Sequence, residues 1–176
     1  MEKVKHIPQY NYEDYKSWKG NWELIDGIPF AMSPSAKVPH QHIQGELIFQ
    51  IKSIFKETGC KNNCFVYSDI DWIINDNNVV RPDLLIVCGI VNPDFIRSTP
   101  ILIIEILSKS TAYNDRIVKK EIYEAQGVKY YLIANPEDKT VEVYQLTDGK
   151  YQLSEKNQFL LNENCIITLQ YNDIWE

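Results

Sequence analysis

Seven consecutive residues, Ile101 to Leu107, are Ile or Leu at every position except Glu105. A run that short and that apolar is predicted to be a strand covered on both faces. An ionised carboxylate in such a strand costs several kcal/mol unless a metal, a cation or several hydrogen bonds offset it. A second run, Val79 to Cys88, contains Asp83. Two core strands that each carry one acid point to a site.

Pro82, immediately before Asp83, sharpens that expectation. Proline donates nothing to a sheet ladder, so within a strand it marks an edge or a bulge. A bulge is a common way to aim a side chain at a shared cleft. Two structural roles compete with a site. Asp83 can cap a strand end against Arg81, and Glu105 can be neutralised by Lys119 or Lys120.

The 176 residues fit a single domain, residues 1–176, with room for a substantial core. No apolar run is long enough to span a bilayer. The first six residues lack the apolar stretch of a signal peptide, so a cytoplasmic protein is expected. Cys60, Cys64, Cys88 and Cys165 do not form a recognisable framework, and Cys60 and Cys64 lack a second pair at zinc spacing. They are expected to be reduced thiols, Cys88 as a small hydrophobe in a core strand. The net charge of −6 gives no overall basic field to attract nucleic acid. It does not exclude an acidic site that meets phosphate through divalent cations.

Tyr12, Tyr15 and Trp18 are spaced as a short amphipathic helix whose rings pack into the core. Asp26-Gly27 predicts a hairpin with Glu23 on its first strand. Ser33 to Pro39 reads as a loop. His40 to Glu57 carries Ile43, Leu47, Ile51, Ile54 and Phe55 at helical period and is closed by Gly59. His40 stands at the helix N-terminus, either as a cap or as a site group. Phe65 to Ile74 reads as one strand, and Asn75 to Asn78 turns it into the Asp83 strand. Asn92 to Pro100 is a loop.

A helix is expected from about Asp115 to Gln126, stopped by Gly127. Asp115, Lys119 and Tyr123 share one of its faces, and an ordinary surface ion pair is the simplest account of Asp115 and Lys119. Lys129 to Ala134 is a further strand, and Asp148-Gly149 turns a second hairpin. One or two short strands follow near Ile166. The expected architecture is α/β (mixed α+β), with a largely antiparallel sheet flanked by helices.

Pro82-Asp83, then Glu105 on the following strand with a lysine nearby, resembles the PD-(D/E)XK nuclease-like superfamily. More narrowly, the chain resembles the Uma-type family of restriction-endonuclease-like proteins. The matching segments are Trp22-Glu23-Leu24-Ile25-Asp26-Gly27, Ser33-Pro34 with His40-Gln41, and Val80-Arg81-Pro82-Asp83. They continue with Ile104-Glu105-Ile106-Leu107-Ser108, Ser110-Thr111, Asp115-Arg116, Lys119, Tyr123, Gly127-Val128 and Tyr130-Tyr131. Together they cover nearly the whole chain in the family's order.

The resemblance implies a restriction-endonuclease-like core and a metal-dependent endonuclease that hydrolyses phosphodiester bonds, with DNA ranked ahead of RNA. Asp83 and Glu105 map to the metal-binding carboxylates, and Mg2+ or Mn2+ is the implied ion. Glu23 is a third acid near the metal, Lys119 stabilises charge or helps deprotonate water, and His40 is an accessory contact. Leu107 stands where the superfamily's lysine would be, so the lysine is expected from the next helix. Lys109 occupies a position where relatives carry proline, and it reads as a solvated loop lysine. Lys120 points about 100° away from Lys119 around the helix. A homodimer is expected because cutting two strands needs two sites. The alternatives are a nuclease-fold binding or regulatory module without turnover, and a structural homo-oligomer subunit.

Overall fold

In a computed structural model, residues 7–32, 37–60 and 63–176 are described. Ser33-Pro34 and the first six residues, which entered the reading above, lie outside them. The fold is mixed α+β. Six strands form the main sheet in the order β10-β9-β8-β7-β6-β3. These are β3 Cys64–Ser68, β6 Leu84–Cys88, β7 Leu102–Ile106, β8 Tyr130–Asn135, β9 Thr140–Thr147 and β10 Lys150–Ser154. Only β7 and β8 are parallel in this sheet; the other pairings are antiparallel.

A smaller sheet, β2-β1-β5-β4, is built from β1 Trp22–Ile25, β2 Ile28–Ala31, β4 Trp72–Asn75 and β5 Asn78–Val80. β11 Gln158–Asn162 and β12 Cys165–Thr168 form a separate hairpin, and a single helical turn, α1 Tyr12–Tyr15, precedes β1. Asp26 and Gly27 both have positive φ, 49° and 74°, as the tight turn between β1 and β2 requires.

Every residue of β7 is buried, as its composition predicts. Alternation divides its side chains between two cores. Leu102, Ile104 and Ile106 pack with Ile43, Leu47, Ile51 and Phe55 of α2 (Val38–Thr58). Ile103 packs on the opposite face with Trp72, Tyr123, Tyr131 and Ile133. Glu105 belongs by alternation to that second face. Leu84 pairs with Ile104 and Leu85 with Ile103. Extended by one position, this register sets Asp83 across from Glu105, on the same side of the sheet.

Several expectations are corrected. Phe65 to Ile74 is not one strand but β3 and β4, which lie in different sheets. The chain changes sheet at Asp69, which has φ of 50°. Val79 to Cys88 is likewise divided, and Pro82 sits in the connector between β5 and β6 rather than in a bulge. Helix α2 begins at Val38, two residues ahead of the expected start, with Pro39 in its first turn, where a missing N–H costs nothing. The Asp115 helix opens with a π-helical turn, Asn114–Lys119, before α3, Lys120–Ala125. The cysteines are paired, Cys60 with Cys165 and Cys64 with Cys88. The Cys64–Cys88 pair follows from register, since these residues face each other across β3 and β6. Sequence spacing carries no record of that contact.

The packing of α2 predicts a sharp contrast between two of its residues. Leu47 is buried, whereas Phe49 is 67% exposed. Leu47→Ala should cost about 2–5 kcal/mol, while Phe49→Ala should stay within about 0.5 kcal/mol of the parent. Urea unfolding of both variants checks this, and equal losses would contradict the helix register.

Candidate active site: an acid cluster around a buried lysine

Glu23, Glu105, Asp115 and Lys119 are each no more than 5% exposed. Three elements deliver them. β1 carries Glu23, β7 carries Glu105, and the π-helical turn carries both Asp115 and Lys119. The wider π turn puts Asp115 and Lys119 in the interior together, so they are not the surface pair expected from their spacing. Lys119 Nζ lies 2.9 Å from Glu23 Oε1, 3.1 Å from Glu105 Oε1 and 3.5 Å from Asp115 Oδ1.

Asp83 enters from the β5–β6 connector. Its Oδ2 accepts a hydrogen bond from the Ile106 amide at 2.7 Å, and its own amide donates to Glu105 Oε2 at 3.2 Å. The two acids therefore interlock, the Asp83 carboxylate bound to the β7 backbone and the Glu105 carboxylate to the Asp83 amide in the connector. His40 Nε2 is 3.1 Å from Asp83 Oδ2. Tyr123 donates its hydroxyl proton to Glu105 Oε1 at 2.7 Å. Glu23 accepts from the Arg81 amide at 2.8 Å and so joins the cluster through Lys119 and the connector. Asp83, Glu105, Lys119, Glu23 and His40 are thus gathered into one network.

The other candidate lysines are elsewhere. Lys120 Nζ sits 3.8 Å from the centre of the Tyr144 ring, and exposed Lys109 pairs with Glu137 at 3.5 Å. Gln44 was not anticipated. Its Nε2 donates to the Asp83 carbonyl and to Asp69 Oδ2, each at 2.9 Å. A glutamine four residues after His40, within an otherwise apolar helix stripe, was the available signal.

The electrostatics show an excess of acid. Burial lowers the pKa of Lys119, but Glu105, Glu23, Tyr123 and Asp115 outweigh it and hold the ammonium well above its ordinary range. Burial pushes Glu105 well above the carboxylate range; Lys119 opposes this, while Asp115, Asp83 and Glu23 add to it. Asp115 is raised for the same leading reason. Burial lowers His40, yet its hydrogen bond and charge interaction with Asp83 raise it overall. One ammonium and one imidazole face Glu23, Asp83, Glu105 and Asp115. Asp115 Oδ1 and His40 Nδ1 are buried without a hydrogen-bond partner among the described residues.

This donor set fits a hard divalent cation. Oxygen ligands suit Mg2+, which commonly binds through one or two carboxylates and retains waters. Asp83 and Glu105 would provide that pair, and the Asp83 side chain keeps 16% of its surface exposed. Among the described residues no three His, Cys, Asp or Glu side chains form a ready-made metal cage.

The arrangement defines a mixed α+β protein with two interlocked carboxylates at the ends of adjacent core strands and a lysine buried behind them. The sequence profile of the Uma2 family, described as "Putative restriction endonuclease", matches residues 12–169. The chain belongs to that family. Its fold also matches the crystal structure of "a putative nuclease belonging to DUF820" from Anabaena variabilis, with a TM-score of 0.73. That match has 16% identity and covers 94% of this chain and 97% of the other. No curated protein matches the sequence. Among the described residues no helix is long and apolar enough to cross a membrane.

Two outcomes test the electrostatics. Lys119→Met leaves three acids without their ammonium and should destabilise the protein by about 3–5 kcal/mol in chemical denaturation. Glu105 has a folded pKa above its unfolded value of 4.5, so the folded state binds the extra proton. Metal-free protein should therefore gain stability as pH falls through the raised value toward 4.5. His40 acts in the same direction; its contribution is complete below 6.5 and is lost as pH rises through its raised value. Glu105→Gln should make the slope of stability against pH shallower, and an unchanged slope would refute the assignment.

Proposed function

We propose that this chain is a metal-dependent nuclease that hydrolyses phosphodiester bonds of nucleic acid, DNA ahead of RNA. The interlocked Asp83–Glu105 pair carries this reading, and membership of a family described as restriction endonucleases supports it. Asp83 and Glu105 would hold Mg2+ or Mn2+. A divalent ion there supplies Lewis-acid chemistry, activating water and offsetting charge on the phosphate.

The protein's own groups have distinct tasks. Lys119, held charged by Glu105, Glu23 and Asp115, fixes Glu105 Oε1 and leaves Oε2 beside the Asp83 amide. An ammonium with so high a pKa is a charge stabiliser and a positioning group rather than a base. Tyr123 locks the same Glu105 oxygen. Glu23 orients Lys119 and ties it to the connector at Arg81. His40 steadies Asp83 and keeps 13% of its side chain exposed, enough to contact phosphate or water.

The enclosure of Lys119 among three carboxylates favours a second reading, a nuclease-fold module that binds nucleic acid without cutting it. One assay separates them. Supercoiled plasmid, single-stranded DNA and RNA are incubated with the protein and Mg2+ or Mn2+. Cleavage is expected, with loss in chelator and a fall of at least about 100-fold in Asp83→Ala. Binding without cleavage on every polymer would favour the module. Cleavage retained in both Asp83→Ala and Glu105→Gln would reject the site.

A further inference from the structure

We infer that the aromatic cavity beside the acid pair seats one unpaired base of the nucleic-acid strand, with guanine as the best-fitting occupant. This rests on the proposed nuclease reading and deepens it. The cavity holds about 420 Å3, within the range of roughly 300–1,000 Å3 typical of small-ligand sites. Its wall is tied to the backbone of Asp83. The Asp69 amide donates to the Asp83 carbonyl at 3.4 Å, and Gln44 bridges that carbonyl and Asp69 Oδ2. Arg81, two residues ahead of Asp83, also lines it. A strand with its phosphate at the acid pair would bring a neighbouring base to this opening.

The lining matches a flat ring with donor edges. Tyr12, Trp18, Trp22 and Phe95 contribute aromatic surface. Trp18 is braced edge-on by Tyr15 at 5.5 Å and by Trp22 at 5.7 Å, so the wall is preassembled. Base stacking on such rings tolerates any base but requires one that is unpaired. The acids select for donors and against phosphate. Asp71 is satisfied by Arg81 Nε at 2.7 Å and the Tyr15 hydroxyl at 2.9 Å. Asp69 has one oxygen engaged by Gln44, while the Asp94 carboxylate has no partner among the described residues. Guanine presents adjacent imino and amino donors on one edge, which suits such acceptors. Arg97 lies 5.3 Å from the Tyr12 ring centre and 5.2 Å from that of Phe95, and it is in no ion pair among the described residues. It is placed to meet the backbone phosphate outside the cavity.

The test measures binding without turnover, by fluorescence anisotropy, in chelator and again in Ca2+. Short single-stranded oligothymidylates carry one guanine, one abasic site or neither. The parent protein should bind the guanine strand at least about tenfold tighter than the abasic strand. Trp18→Ala should erase that difference, and Trp18→Phe should restore most of it. Asp94→Ala, on an exposed loop, should remove the advantage of guanine over thymine without touching the core, so the test survives misfolding of the tryptophan variant. Equal binding of all three strands by the parent protein would overturn the base seat and leave the nuclease reading intact. Retention of the base preference in Trp18→Ala and Asp94→Ala would do the same. Failure to bind any strand in either buffer would overturn both.

Discussion

A single ammonium, Lys119 Nζ, holds together parts of the chain that are far apart in sequence. It meets Glu23 from the small sheet, Glu105 from the main sheet and Asp115 from its own π-helical turn. Each of these charges alone would be costly to bury, and removing one partner strands the others. The two sheets, the turn and the β5–β6 connector therefore share one electrostatic keystone. It is not electrically balanced. Desolvation drives Glu105 and Asp115 toward their protonated forms despite the nearby lysine. A cluster that gathers so much acid, with partly exposed Asp83 at its edge, is suited to a further cation.

Strand register converts that chemistry into a site. The β6–β7 pairing brings Asp83 opposite Glu105, and each acid is then fixed by a backbone hydrogen bond as well as by side chains, Glu105 by Lys119 and Tyr123 and Asp83 by His40. Pro82 helps in a different way from the one its position suggested. Lacking an N–H, it suits the connector where the chain leaves one ladder for another. Glu23 satisfies the amide of the neighbouring Arg81. The same crossing from one sheet to the other places Arg81, Asp69 and Asp71 around the aromatic cavity, and Asp69 and Gln44 hydrogen-bond that wall to the Asp83 backbone.

The central features of the site were legible because they break local rules. Glu105 interrupts an otherwise aliphatic strand, and Asp83 follows a proline within an apolar run. Helix α2 and the two tight hairpins also carry strong local signals: a period of apolar residues closed by Gly59, and Asp-Gly turns. Other features depend on contacts that local patterns do not encode. Phe65 to Ile74 looks continuous because both of its halves are strands; only the positive φ at Asp69 marks the change of sheet. The spacing of Asp115 and Lys119 suits an exposed α-helix equally well, and their burial follows from a π turn packed against two sheets. The Cys60–Cys165 contact joins the end of α2 to the last hairpin across a sequence separation of 105 residues.

Asp83 and Glu105 are held close by reciprocal backbone hydrogen bonds in an acid-rich cluster, and the proposed function requires that this pair bind a divalent cation. The most direct measurement is anomalous scattering from a crystal soaked in Mn2+. The account predicts a peak within coordination distance of both carboxylates, with the Lys119 contacts to Glu105 and Glu23 retained. Absence of a peak there at saturating Mn2+, or a peak that persists after both acids are replaced, would contradict it.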